Sequence, residues 1–239
     1  MKQKTQVTRQ IALLAQKGGV GKTTIATGLA EWCDAQKLPC RLLDGNRGQQ
    51  SLTRWAALRK DAQVEPAMSV TPTFEVIHEG RQRTPRLRDL TIELLQTPFP
   101  GLTLLDLPGG IEASVGAALR YCDAVILPLP PMCFDYLSLT EIGELVRAAR
   151  QVREQDGAGP IRVYVVLNRR GRSSAQEAIK DQLLVESQKL GFTVCSTELS
   201  YLSDFYASTM EGRSPISFAP SGKAAQQLSA LAKEVGLGR

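Results

Sequence analysis

Short apolar runs closed by turn residues alternate along this chain with longer segments in which apolar positions recur every three or four residues. Strands buried on both faces write the first pattern and the helices that cover them write the second. The alternation therefore predicts an α/β fold: a mostly parallel, twisted sheet with helices on both faces. The predicted strands are IALLA (11–15), CRLLD (40–44), FEVI (74–77), LTLLD (102–106), AVILPL (124–129), VYVVLN (163–168) and TVCS (193–196). Helical stretches are expected at about 22–37, 50–61, 85–96, 112–120, 134–155, 173–190 and 222–236, so that each strand returns through a helix. In 134–155, Leu137, Ile142, Leu145, Val146, Ala149 and Val152 form a stripe that faces a core. The least regular part, 64–100, holds Pro66, Pro72, Pro85, Pro98 and Pro100. No internal repeat or low-complexity linker interrupts the 239 residues, which predicts one domain over 1–239 with a short N-terminal extension at 1–10.

The first predicted strand runs into Gln16-Lys17-Gly18-Gly19-Val20-Gly21-Lys22-Thr23-Thr24, and a helix with good formers such as Ala26, Leu29 and Ala30 follows at once. Strand, glycine loop and helix in that order are the setting of a P-loop. Glycines let backbone N–H groups close around phosphates, and the helix start adds the positive end of its dipole. In this arrangement Lys22 reaches the β- and γ-phosphates, Thr23 offers its hydroxyl to Mg²⁺, and Thr24 touches the α-phosphate. The predicted ligand is a nucleoside triphosphate, ATP with magnesium.

An ordinary P-loop has glycine where Gln16 stands, and here a lysine, Lys17, follows. The string KGGVGKTT resembles the deviant Walker A loop of the ParA/MinD family of P-loop ATPases. By that resemblance Lys17 reaches across an ATP-sandwich homodimer to the partner's nucleotide. LLDLPGG is similar to the family's second acidic strand, with Asp106 holding magnesium through water. DAVILPLPPMCFDYLSL resembles its strand, proline and helix-start segment, with Asp135 as a candidate helix cap. VVLNRR places Asn168 where family members contact adenine, and FAPSGKAAQQL resembles the final loop and helix. The family otherwise reads D-x-D-P-Q after its second strand, the first acid ordering the Mg²⁺ shell and the second positioning the attacking water. Here Asp44 matches the first, Asn46 stands in place of the second, and the spacing to SLTRW is stretched by about one residue. An amide orients water but takes no proton. Phosphoryl transfer leans on positioning and electrostatics, so Lys17, Lys22 and Asp44 can sustain turnover, and slow hydrolysis is expected. The SLTRW ending is closer to small ParA relatives of plasmid segregation and of conjugative or T-DNA transfer.

Composition adjusts this picture only slightly. With 43% hydrophobic and 22% charged residues, and no apolar run near the roughly 18 residues a spanning helix needs, the chain reads as a cytoplasmic globular protein. The opening MKQKTQVTRQ lacks the apolar core of a secretion signal. Five singly placed cysteines (Cys33, Cys40, Cys122, Cys133, Cys195) suit reduced thiols, and the single histidine, His78, argues against a histidine triad. A formal charge of +5 mildly favours a polyanionic partner. Arg81, Arg83, Arg86 and Arg88 crowd one segment, Arg169, Arg170 and Arg172 another, and Lys180, Lys189, Arg213 and Lys223 lie nearer the end, all candidates for phosphate contacts on DNA. The resemblance implies non-specific DNA binding by the ATP-bound dimer and a DNA-bound adaptor or ParB-like partner. The ending SALAKEVGLGR lacks the large aromatics of a membrane-binding tail. Two rivals stand beside plasmid positioning: an essentially non-hydrolysing ATP-binding accessory of a conjugative DNA-transfer complex, and a metabolic P-loop enzyme like the nitrogenase-reductase or dethiobiotin-synthetase relatives.

Overall fold

The computed structural model describes residues 9–77, 86–131, 137–171 and 173–237. The elements are β1 (Arg9–Ala15), α1 (Lys22–Ala35), β2 (Cys40–Asp44), α2 (Ser51–Asp61), β3 (Val70–Pro72), β4 (Phe74–Ile77), β5 (Arg86–Asp89), α3 (Thr91–Gln96), β6 (Leu102–Gly109), α4 (Ala113–Leu119), β7 (Ala124–Leu129), α5 (Leu137–Gln155), β8 (Arg162–Leu167), α6 (Ser174–Lys189), β9 (Thr193–Val194), α7 (Asp204–Met210), α8 (Pro215–Phe218) and α9 (Lys223–Glu234).

Seven strands make the main sheet in the order β3-β2-β6-β1-β7-β8-β9, and every pairing in it is parallel. Side chains alternate across β1, so Ile11 and Leu13 join one core with Ile25, Leu29, Leu104, Ile126 and Leu228. Ala12 and Leu14 join the opposite core with Leu105, Val125, Ile142, Val146 and Val165. Helices cover both faces, as the alternation predicted, because each strand offers an apolar side chain to either layer. The connection after β1 leads to β2 on one side while β7 pairs on the other, so the glycine loop opens at the point where the sheet changes winding direction. Ligands of open α/β sheets bind at such a point.

Two of the sequence expectations need correction. FEVI is a strand, but it pairs antiparallel with β5 in a separate two-stranded sheet, Phe74 opposite Asp89 and Ile77 opposite Arg86. The slot beside β2 goes to β3, whose Pro72 is tolerated because β3 is an edge strand. The helix expected over 85–96 begins only at Thr91, whose N–H donates to Asp89 Oδ1 at 2.8 Å. Arg86–Asp89 reads RLRD, an alternation of period two that suits a strand better than a helix turn. The structure also adds α7 and α8 in a stretch without helical period. Ile142, Val146 and Ala149 of the α5 stripe are buried as expected. The side chain of Leu137, the start of the helix at 134, and His78, Cys133 and Asp135 lie outside the described residues.

A buried ion pair joins the helices on either side of the glycine loop's neighbourhood. Glu31 of α1 meets Arg59 of α2, both almost fully buried. The Glu31 carboxylate also accepts from Ser214 N at 3.1 Å, Ser217 N at 3.2 Å and Ser217 Oγ at 2.9 Å. Arg59 donates to the carbonyls of Pro66 at 2.8 Å and Gly212 at 3.1 Å, and lies over the Trp55 ring. Burying two charges is tolerated only when their remaining hydrogen-bonding capacity is satisfied in this way. Gly212, at φ +64°, lets its backbone lie against that of Arg59, where a Cβ would collide.

Candidate nucleotide site

Gly18–Gly21 bridge the end of β1 to α1, with Gly19 at φ +76° and Gly21, the residue before the helix, at φ +100°. Both values are strained for any residue with a side chain, which is the backbone reason for glycine here. Strand β6 runs up against the loop: Gly110 N donates to Ala15 O at 3.1 Å, and a Cβ on Gly109 would sit 3.1 Å from Gly18 N.

Lys22 opens α1 and is buried, and its pKa is lowered by desolvation, partly offset by Asp106. A buried ammonium of this kind is an incomplete arrangement that an anion would complete. Thr23 Oγ1 donates to Asp106 Oδ2 at 2.5 Å, and the other carboxylate oxygen, Oδ1, is buried without a hydrogen-bond partner. Desolvation raises the Asp106 pKa to about 6, with Thr23 and Lys22 pulling it down and Asp44 pushing it up. A hydroxyl and an orphaned carboxylate oxygen at a helix start are hard donors that fit Mg²⁺, which takes one or two carboxylates and completes its shell with phosphates and water. Among the described residues no group of three or more His, Cys, Asp or Glu side chains could cage a metal.

Asp44 and Asp106 stand opposite each other in the β2–β6 register. Asp44 Oδ1 accepts from Asn46 N at 3.0 Å, and Oδ2 accepts from Thr53 N at 2.9 Å and Thr53 Oγ1 at 2.8 Å. Its carboxylate thus anchors the loop 45–50 and the start of α2. Asn46 in turn uses Oδ1 to accept from Gln49 N at 3.2 Å and Nδ2 to donate to Gln49 Oε1 at 3.4 Å.

A cleft of about 250 Å³ is lined by Gly19, Gly21, Lys22, Thr23, Thr24 and Asn46, with Gln49, Arg169 and Thr209 at its edges. It therefore unites half of the residues predicted from the motifs, leaving Lys17, Gly18, Val20, Asp44, Asp106 and Asn168 outside its lining. It adjoins a pocket of about 520 Å³ whose walls include Gly21, Thr24, Asn168, Leu199, Tyr201 and Phe205. The second is mostly apolar and rimmed by the tilted pair Tyr201 and Tyr206, ring centroids 5.5 Å apart, as a flat base requires. Asn168 lines that pocket, but its Nδ2 donates to Val20 O at 2.7 Å and its Oδ1 accepts from Arg169 N at 2.9 Å. One donor and one lone pair remain for a base. Val20 is buried beneath the loop, and Lys17 is exposed at its start.

Sequence reasoning did not find Gln49 or the α7 wall, and it named Arg169 only in a cluster for DNA contact, not at this cleft. Arg169 carries a signal only in the backbone, φ +57° on a residue with a full side chain. The basic clusters are less available than their spacing suggests. Arg170 is buried and paired with Glu177 and Glu198, Lys180 with Glu198 at 2.6 Å, Lys189 with Glu186 at 2.7 Å and Arg88 with Glu93 at 2.8 Å. Arg213 lies 3.8 Å from Glu211. Arg81, Arg83 and Arg172 are outside the described residues, as is the side chain of Arg86. Cys122 is buried with its thiol pKa pushed up to about 12, mainly by desolvation, the setting of an inert core thiol. No helix is long and apolar enough to cross a membrane among the described residues.

The family model described as the CobQ/CobB/MinD/ParA nucleotide binding domain matches residues 11–216. The chain is similar to the chromosome-partitioning ATPase Soj of Thermus thermophilus, 27% identical over 248 aligned positions that cover 95% of each chain. It is also similar to maintenance of carboxysome distribution protein A of Halothiobacillus neapolitanus, 24% identical over 230 residues, 94% of this chain and 95% of the other. Among solved structures, MinD of Pyrococcus horikoshii complexed with Mg-ADP superposes with a TM-score of 0.63 at 21% identity, covering 96% of both chains. An ATP complex of a Cyanothece McdA variant reaches 0.68 at 15% identity, covering 97% of this chain and 98% of that one. At these identities the superpositions establish the P-loop fold and leave the chemistry to the residues.

Proposed function

This chain belongs to the CobQ/CobB/MinD/ParA nucleotide-binding family, and on that premise we propose that it is an ATP-dependent dimeric switch that associates with DNA and positions a cargo such as a plasmid. The observation that carries the reading is that the cleft is lined by the buried Lys22 and by Thr23, whose hydroxyl is bonded to a buried Asp106 that keeps one oxygen unpartnered. Lys22 and the loop amides hold the phosphates, Thr23 and Asp106 face the ion, and the apolar pocket beside Gly21 takes the adenine. Magnesium, when bound, neutralises charge on the phosphate oxygens. Asp44 orders the ion's outer shell through the loop it anchors. Lys17, exposed at the loop start, is the residue that senses the partner subunit's nucleotide. Soj is named as a chromosome-partitioning ATPase and the other relative for carboxysome distribution, and positioning is the role their names share. The setting is cytoplasmic, with a DNA-bound adaptor as the further partner.

Hydrolysis is slow in this proposal, because the loop after β2 offers the neutral Asn46 and no second carboxylate. The same observation favours one alternative, an ATP-binding accessory of a conjugative DNA-transfer complex that scarcely hydrolyses. Phosphate release measured with DNA and the cognate partner separates the two.

Sedimentation velocity with ATP, ADP or no nucleotide, with and without DNA, tests the switch. Wild type is expected to be a dimer only with ATP and magnesium, and to bind DNA only in that state, with affinity falling steeply as salt rises. Lys17→Ala is expected to bind ATP yet remain monomeric. A monomer throughout in the wild type, or equal DNA retention with and without ATP, would remove the model.

A further inference from the structure

We infer that the side-chain amide of Gln49 presents the attacking water to the terminal phosphate, and that Asn46 is the positioning residue that holds Gln49 there. The inference rests on the ATP-hydrolysing reading above and assigns its missing chemistry to Gln49.

The direction of the nucleotide is set by the walls of three neighbouring cavities. The apolar base pocket shares Gly21 and Thr24 with the phosphate cleft and contains neither Asn46 nor Gln49. Both amides line the phosphate cleft, and both also line a cavity of about 540 Å³ on its far side, together with Gly18, Arg47 and Gly109. They therefore stand at the end of the phosphate chain remote from the base, where water must attack.

The two amides are not equivalent. The loop is pinned by Gly45 N donating to Asp106 O at 2.9 Å and Gln50 N donating to Asn46 O at 2.8 Å. Within it, Asn46 turns its Oδ1 to Gln49 N and its Nδ2 to Gln49 Oε1, so its carboxamide faces Gln49. Gln49 is exposed, and its Nε2 lies 3.7 Å from the point a Cβ on Gly18 would occupy, directly over the glycine loop. Gln49 keeps a lone pair on Oε1 to accept an O–H of water and N–H donors on Nε2 for a phosphate oxygen. That is the combination with which a glutamine orients water in other nucleotide triphosphatases. The water oxygen forms the new P–O bond, the bond between the terminal phosphorus and the bridging oxygen breaks with its electron pair going to ADP, and the water's proton passes to a phosphate oxygen. The amide itself accepts no proton.

The experiment compares wild type, Gln49→Ala, Asn46→Ala and the double variant. It measures affinities for ATP·Mg²⁺, ADP·Mg²⁺ and ADP·Mg²⁺ with aluminium fluoride by displacement of a fluorescent nucleotide, alongside single-turnover phosphate release. Gln49→Ala is expected to keep ATP and ADP affinities within about threefold, while affinity for the fluoride complex and the rate each fall at least about tenfold, the mark of a contact made only in the transition state. Asn46→Ala should lower both in the wild-type background and have no further effect once Gln49 is alanine, since a positioning residue acts through the group it positions. Wild type that binds ATP while Gln49→Ala leaves the fluoride complex unchanged would overturn the inference alone. So would a wild type that gains no affinity from aluminium fluoride, or additive losses in the double variant. Wild type that fails to bind ATP·Mg²⁺ overturns the functional reading and this inference together.

Discussion

Lys22→Ala is expected to weaken binding of ATP·Mg²⁺ by at least roughly 100-fold, corresponding to about 2.7 kcal/mol, with no loss of stability in the nucleotide-free protein. The lysine is buried at the first residue of α1, and desolvation lowers its pKa. Without an anion it is a charge removed from water with little in return, so its deletion leaves the empty fold as stable or more so. With phosphates in the cleft the same burial turns into an advantage, since a charge-assisted hydrogen bond is stronger where water is excluded. Calorimetric titration, paired with thermal melts without nucleotide, checks both halves. Affinity within threefold of wild type would show that the triphosphate lies elsewhere.

Asp106→Asn is expected to separate stability from magnesium use. In the wild type, burial raises the Asp106 pKa to about 6 from an ordinary value of 3.8. Between those two values the folded state holds a proton that the unfolded chain has released, so stability falls as pH rises through this window and is flat above it. The full effect at pH 7.5 is about 3 kcal/mol. Asparagine keeps an oxygen for the Thr23 hydroxyl and removes the buried charge. The nucleotide-free variant should therefore melt roughly 5–10 °C higher at pH 7.5, and the difference should vanish by about pH 4. Magnesium behaves in the opposite sense. In the wild type the ion and the proton compete for one carboxylate, so the gain in ATP affinity on adding Mg²⁺ should shrink as pH drops through about 6. In the variant that gain should fall at least about tenfold at neutral pH and lose its pH dependence. A variant no more stable than wild type at pH 7.5, with magnesium coupling intact, would deny Asp106 the role assigned to it.

What could be read from the chain and what could not divide along a physical line. The glycine loop is legible because its demands are local: positive φ at Gly19 and Gly21, and a helix that begins at once. Asp106 is legible because it ends an apolar run in a central strand. The hairpin was misread because Arg86–Asp89 is only four residues long and leads straight into a helix, so the two periods merge. β3 was missed because three residues ending in proline give no pattern at all. The apolar pocket beside Gly21 depends on α7, a seven-residue helix whose aromatic side chains matter through what they face across the chain. Motif spacing drew attention to Asn46 as the site of a missing acid. The hydrogen bonds that turn it toward Gln49 are a property of the folded loop. The arginine and lysine runs suggest a ready cationic surface, and pairing with glutamates across the fold removes much of that charge.

The joint between Glu31, Arg59, Ser214 and Ser217 also limits how this molecule can change shape. It clamps the helix that opens with Lys22, the helix that follows the Asn46 loop and the turn leading into α8 to one another, so none of the three can tilt independently without stranding a charge in the interior. A displacement of any one of these elements therefore carries the other two with it.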